Sequence, residues 1–295
     1  EGNEEAMKSY DQVIQIDQLR HANRHEGKMA DQKSVVTFRE NSRDVLAYWL
    51  ADRSDQMAFL ALSGVAFTQK TNGAARVGSD LAYLDYAGDV TAPSTNRRLR
   101  WDVTTTNSLV TGAATSDVVV ADLPSWEMLV ELKAYAKDNF VRPIRGGQGM
   151  EVYNIFMCPQ GIARLKMDTN FMAAWKDAQK RGGDNPLFKG ADVIYVDGLA
   201  IHEYRHVYNT KGATSGVGKW GSGSDVEGQQ VLLCGAQALG YADIGDAEWV
   251  EKGFDYENQQ GISIGKISGL KKPVFRSAVT ATDEDFGVIS CYTAI

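Results

Sequence analysis

Residues 200–208 read AIHEYRHVY and set His202, Glu203 and His206 in the order His-Glu-x-x-His. On a helix this spacing puts two imidazoles on one face, roughly 6 Å apart. There they can grip a zinc ion while the glutamate activates a water. The chemistry therefore depends on the element that carries the three residues. Just upstream, Asp197-Gly198 is the dipeptide that tight hairpin turns favour, because both positions need a positive φ. Alternating runs on either side make 200–208 the return strand of a hairpin. At about 3.3 Å per residue, His202 and His206 then stand roughly 13 Å apart, too far to share an ion. The same alternation sets His202, Tyr204 and His206 on one side, with Ile201, Glu203, Arg205 and Val207 on the other. The segment predicts no metal centre; a zinc-dependent hydrolase through His202, Glu203 and His206 is the alternative if it is helical.

Other candidate groups carry less. His21 and His25 repeat the spacing, but nothing in the sequence brings them to the first pair, and they read as solvated turn residues. GATSGVGK, residues 212–219, resembles a phosphate loop. Its Gly212-to-Gly218 spacing is one residue too long, and Trp220 follows where Ser or Thr would hold magnesium. Asp285-Phe286-Gly287 has the letters of a kinase motif without the loops that accompany it. Asp283, Glu284 and Asp285 lack the spaced ligands of a calcium loop and read as a solvated turn. Arg97, Arg98 and Arg100, beside Trp101, could touch phosphates, but salt bridges with acidic neighbours fit better.

The elements that must position these groups follow from periodicity. SYDQVIQIDQLRH, with Tyr10, Val13, Ile14 and Ile16, reads as a strand flanked by solvent. From Met29 to Leu62 no proline or glycine intervenes, and Val35, Phe38, Val45 and Trp49 run beside a row of Leu46, Leu50, Met57 and Leu60. That stripe predicts one helix about 50 Å long, stopped by Gly64. Residues 65–120 predict loops with short strands. A second helix starts near Pro124 with Trp126, Leu129, Leu132 and Tyr135 or Ala136 on one face, and ends before Pro143. EVYNIFMC reads as a strand, Pro159 opens a helix through Met167, and FMAAWKDAQK is a helix stopped by Gly182 and Gly183. KGATSGVGKWGSGSD reads as a flexible tip or lid. The last third is strand-rich and closes on the strand DFGVISCYTAI.

Composition sets the outer bounds. The chain has 295 residues, 43% of them hydrophobic and 23% charged, enough for one large domain or two modest ones. No apolar run is long enough for a membrane span, and no signal peptide precedes the chain. A first residue of Glu1 predicts that the chain is a portion of a longer product. A net charge of −7 and a pI near 5.2 argue against a broad basic face for nucleic acid. Cys158, Cys234 and Cys291 form no CxxC pair and predict buried thiols in a reducing cytoplasm.

The inventory predicts no catalysis and no cofactor. It leaves a long helix, extended loops and a glycine-rich tract, which suit a subunit completed by its neighbours. At this point an ordered set of fragments carries a resemblance: VIQIDQLRHANRHEGKMADQ, SRDVLAYWLADRSDQMAFLALSG, APSTNRR, RPIRGG, CPQGIARLKMD, WKDAQKRGGDNPLFKGA, GLAIHEYRHV, GAQAL, FDYENQQGISIGKISGLKKPVF and DFGVI. In this order the chain resembles the major capsid proteins of tailed phages of the N-four podovirus type. The resemblance implies an α+β fold like the shell of Hong Kong 97 phage, with spine helix, extended loop, peripheral domain and axial domain. It implies that 1–28 is the returning limb of the extended loop, 29–64 the spine helix and 65–149 the peripheral domain with loop insertions and the second helix. Residues 150–230 become the axial domain, and 231–295 the strands returning to the peripheral domain. The implied work is assembly: pentamers and hexamers of one chain forming an icosahedral virion capsid around double-stranded DNA, built in the bacterial cytoplasm. Portal, scaffold and decoration proteins are the implied partners, with no membrane. Arg97, Arg98, Arg100, Trp101, Lys219 and Trp220 are the candidate inter-subunit contacts, and a decoration protein on another shell is the structural alternative.

Overall fold

A computed structural model of the chain describes residues 9–78, 80–146, 149–178, 193–277 and 279–295. The acidic run at 1–7 and the helix-stopping Gly182 and Gly183 lie outside the described residues. In chain order come β1 (Asp17–Arg24), α1 (Lys28–Lys33), α2 (Phe38–Ser63), β2 (Arg98–Asp102), β3 (Ser108–Thr111), α3 (Trp126–Asp138), β4 (Ile144–Arg145) and β5 (Glu151–Met157). These are followed by α4 (Pro159–Met167), α5 (Thr169–Ala178), β6 (Val193–Val196), β7 (Leu199–Glu203), β8 (Gly228–Cys234) and β9 (Gly240–Asp243). The chain closes with β10 (Glu248–Phe254), β11 (Gln259–Lys271), β12 (Val274–Arg276), β13 (Asp283–Asp285) and β14 (Val288–Ala294).

Among the described residues the strands form a large mixed sheet in the order β3-β2-β14-β8-β5-β7-β6, with β4 on β5. Both of its faces are covered. Alternation along β8 and β14 sends Val231, Leu233, Ile289 and Cys291 into a core with α3, α4 and α5, while Leu232, Cys234 and Val288 meet Phe59 and Leu62 from α2. Strands buried on two faces read as continuous apolar runs, and VLLC and VISC are such runs. The smaller sheet, β1-β11-β10 with β9 on the far end of β11, is covered on one face over β1 and β11, while β10 is exposed. The sheet's inner positions Leu19, Ile262, Ile264 and Leu270 pack with Leu46, Leu50, Met57 and Leu60 of α2. A hairpin of β12 and β13 completes the topology.

The helix expected from Met29 to Leu62 is two helices. Ser34 is extended (φ −84°, ψ 139°), and its hydroxyl both donates to the Val36 carbonyl (3.0 Å) and accepts from the Val36 N–H (3.2 Å). Such local side-chain bonds compete with helix, and the β-branched run Val35-Val36-Thr37 has low helix propensity. Thr37 restarts the helix from an extended backbone and donates to Glu40 at 3.0 Å. Val35 and Val45 are exposed, so the buried seam is the other row, Leu46, Leu50, Met57 and Leu60. At its far end Gly64 is left-handed (φ 67°) and returns N–H bonds to the last turn; a Cβ there would lie 2.3 Å from the Thr91 carbonyl oxygen. At 26 residues α2 is about 39 Å long.

The shorter helices follow their caps. Ser125 accepts from the Met128 N–H at 3.3 Å to start α3, and Pro159 sits in the first turn of α4. The first strand begins later than expected: residues 10–16 carry no regular structure, and Tyr10 and Val13 are exposed. Instead this segment crosses the end of the small sheet. Gly269 is required there, because a Cβ would lie 2.0 Å from the Gln15 carbonyl.

Candidate functional site

The hairpin forms as expected. Asp197 and Gly198 both have positive φ (48° and 71°), and Val196 pairs with Leu199. The return strand, however, ends at Glu203 rather than continuing through Val207. Past it the chain turns, with the Val207 N–H on the Tyr204 carbonyl at 3.3 Å. His202, Tyr204 and His206 do share the side that faces α2, but each has its own partner. The His202 ring stacks on Phe156 at 5.1 Å, and burial holds its pKa below the ordinary value. Tyr204 stacks on Phe59 at 5.0 Å and donates to Asp55. His206 Nε2 lies 2.9 Å from Asp52, which Arg205 also pairs with. Burial works to raise the Asp52 carboxyl, but the charges and hydrogen bonds of His206 and Arg205 outweigh it and hold the group below the usual carboxylate range. The motif is a clasp between β7 and α2, and no group of three metal-ligating side chains converges among the described residues.

The second histidine pair is also structural, and it is not a solvated turn. His21 lies on β1 and stacks on Trp49 at 4.5 Å, while His25 packs edge-on against Phe38 at 4.9 Å. Together they fasten the small sheet to the first half of α2.

Asp283, Glu284 and Asp285 form β13 rather than a solvated turn. Glu284 and Asp285 are buried because cations are buried with them. Arg97 meets Glu284 at 3.2 Å, and Lys272 meets Asp285 at 2.9 Å, with the latter two side chains 1% and 2% exposed. Desolvation pushes the Lys272 amine down and the Asp285 carboxyl up, as burial of opposite charges must. Arg100 sits between Asp102 (2.5 Å) and Asp122 (3.3 Å), and Arg98 donates to the Gly112 carbonyl at 3.0 Å. The arginine cluster therefore bridges to acids of its own chain at two of its three members. Trp101 is fully enclosed in the large core, and Trp220 is buried against Tyr292 at 5.0 Å. Arg97 is buried as well. Arg98 and Arg100 are half-buried, and Lys219 is half-buried in a pair with Glu227 at 2.9 Å.

The glycine-rich tract is not a lid. Trp220 bridges to Val226, and added Cβ atoms would lie 2.0 Å from Trp220 at Gly228, 2.5 Å from Asn72 at Gly212 and 2.7 Å from Val226 at Gly221. These glycines permit close packing, and no helix follows to receive a phosphate. No Gly-x-Ser-x-Gly elbow is expected from the sequence, although Gly261-Ile262-Ser263-Ile264-Gly265 spells the pattern. It lies mid-strand in β11, without the sharp strand-to-helix turn that exposes a nucleophile. The three cysteines are buried and free, and burial pushes the Cys234 and Cys291 thiols up to about 12.

What the arrangement does offer is surface. β10 is exposed along its whole length, and its tip carries three consecutive non-glycine residues with positive φ: Asp255 (50°), Tyr256 (50°) and Glu257 (66°). Tyr256 is 102% exposed. A signal for the open sheet lay in GISIGKISG, where small residues alternate with isoleucine. Phe254 leans over Gly261 on the outer face, with Arg24 5.5 Å from its ring centre.

The profile of the family described as phage capsid protein matches residues 1–295. The chain is similar to a protein named the major capsid protein of Pseudomonas phage KPP25, at 56% identity over all of this chain and 78% of that one. Among solved structures, the capsid of Ralstonia phage GP4 superposes with a TM-score of 0.75 at 26% identity, covering 100% of this chain and 77% of that one. The cyanophage Pam1 capsid superposes at 0.70 with 15% identity, covering 95% and 75%, which speaks to fold alone. The α+β architecture is the shell fold of Hong Kong 97 phage. With a family profile matched along its whole length and a major capsid protein as a 56% identical relative, the chain belongs to the phage capsid protein family.

Proposed function

We propose that this chain is the repeated tile of an icosahedral phage head, meeting copies of itself as pentamers and hexamers around packaged double-stranded DNA. The observation that carries the reading is the 56% identity, along the full length of the chain, to a major capsid protein. The partly covered small sheet supports it, since identical subunits that close shells must keep surface for one another. The net charge of −7 suits a wall that holds DNA without binding it. On this reading α2 is the principal part of the spine helix, residues 150–230 supply much of the axial domain, and 65–149 with 231–295 form the peripheral domain. Portal and scaffold proteins are the further partners, with assembly in the bacterial cytoplasm. Electron micrographs of the purified full-length protein test it: rings, sheets or closed particles are expected, and a compact monomer at every concentration overturns it. A decoration protein would instead be stripped from particles that survive without it.

A further inference from the structure

The two ends of β11 carry complementary chemistry. At one end, the turn from β10 holds Tyr256 in full exposure between the carboxylates of Asp255 and Glu257, on backbone that these residue types seldom adopt. Strain of this kind persists where a surface is shaped for a purpose. Beyond the other end, a cavity of about 510 Å³ lies between the end of α3 and the β12–β13 hairpin. Its walls are aromatic: Tyr10 meets Phe275 at 6.2 Å, Phe275 meets Phe286 at 5.4 Å, and Phe140 stands exposed on the rim. Arg142, exposed, lies over the Phe286 ring at 5.5 Å, and Arg276 is exposed beside it. Among the described residues neither arginine has a carboxylate within ion-pairing distance. The acids at the cavity, Glu284 and Asp285, are already matched by Arg97 and Lys272.

We propose that the Asp255-Tyr256-Glu257 tip of one copy seats in the arginine-lined aromatic cavity of another, joining opposite ends of the tile. The tip cannot fill its own cavity, because β11 runs from Gln259 to Lys271 and so separates the two by about 40 Å. A contact between different patches is heterologous, the kind that propagates or closes on itself instead of stopping at a dimer. Tyrosine against aromatic walls with arginine overhead supplies stacking and cation–π attraction, and the flanking acids set register against Arg142 and Arg276.

This inference rests on the shell-subunit reading, and its test separates the two. Unaltered full-length protein must first give particles; if it does not, the shell reading fails. The pair Tyr256→Cys with Ser277→Cys, Ser277 being on the cavity wall, is then assembled and oxidised. The native cysteines are buried and silent. Non-reducing gels should show a ladder of disulfide-linked multimers, since the two sites cannot meet within one chain. Particles that form without a ladder overturn the contact and leave the shell reading standing. Independently, Asp255→Lys with Glu257→Lys should lower particle yield at least about tenfold, and adding Arg142→Glu with Arg276→Glu should restore it. Unchanged yield from the lysine pair overturns the proposal.

Discussion

The large sheet and the small sheet are built from similar strands and finished differently. In the large sheet, β8 and β14 are buried on both faces, with three helices on one side and the end of α2 on the other. In the small sheet, α2 covers one face over β1 and β11, while Val250, Phe254 and Ile267 remain open to solvent. The first region is completed by its own chain. The second keeps apolar surface that its own fold leaves uncovered. The difference teaches where stability and assembly are separable.

The comparison breaks most severely at the junction below both sheets. Asp285→Ala leaves Lys272 charged, buried and alone, and should cost about 3–5 kcal/mol in urea unfolding of the unassembled subunit. Lys272→Met with Asp285→Leu should recover most of that loss, because both buried charges leave together. Matched truncations sharpen the contrast. Ile289→Ala, in the covered sheet, should cost the subunit about 3 kcal/mol by cavity formation. Val250→Ala, on the open face, should stay within about 0.5 kcal/mol for the subunit while lowering the temperature at which assembled particles come apart.

Acid supplies a smaller test at the edge of the large sheet. Burial acts to raise the Asp102 carboxyl, but N–H bonds from Thr105 and Thr104 and the Arg100 charge prevail and hold it below the usual carboxylate range. A carboxylate with a depressed folded pKa adds stability that is present above its ordinary value, about 3.9, and lost as pH falls through the folded value. Asp102→Asn should therefore begin less stable at neutral pH and lose less on acidification below about pH 4, as followed by fluorescence.

Much of the fold was legible from the chain. The Asp197-Gly198 turn, the α3 stripe, Pro159 at the start of α4 and the Gly64 stop each rest on local chemistry, and local chemistry decided them. Extended backbone through Val207 was the expected reason for the histidines to stand apart, yet the strand ends at Glu203 and the chain turns before Val207, so strand rise does not set the geometry of the motif. Its actual work, clasping α2 through Asp52 and Asp55, depends on residues 149 to 154 positions away and leaves no local trace. The acidic run at 283–285 read as solvated because its partners, Arg97 and Lys272, are brought to it by tertiary pairing alone. Glycines at 212 and 221 read as flexibility when close approach was the cause, since a sequence shows the missing side chain and not the neighbour that requires it. The exposed tip at 255–257 was missed because left-handed backbone in non-glycine residues has no signature in residue type.

Helix α2 has one further consequence. Leu46 and Leu50 belong to the core under the small sheet, while Phe59 and Leu62 belong to the core under the large one. The helix is thus a beam seated on both cores, with His25 against Phe38 at its first residue and His21 and His206 near its middle, at Trp49 and Asp52. A shell must hold the same tile at sites of unequal curvature, so any change of angle between the two plates has to bend this beam or slip one of its seats.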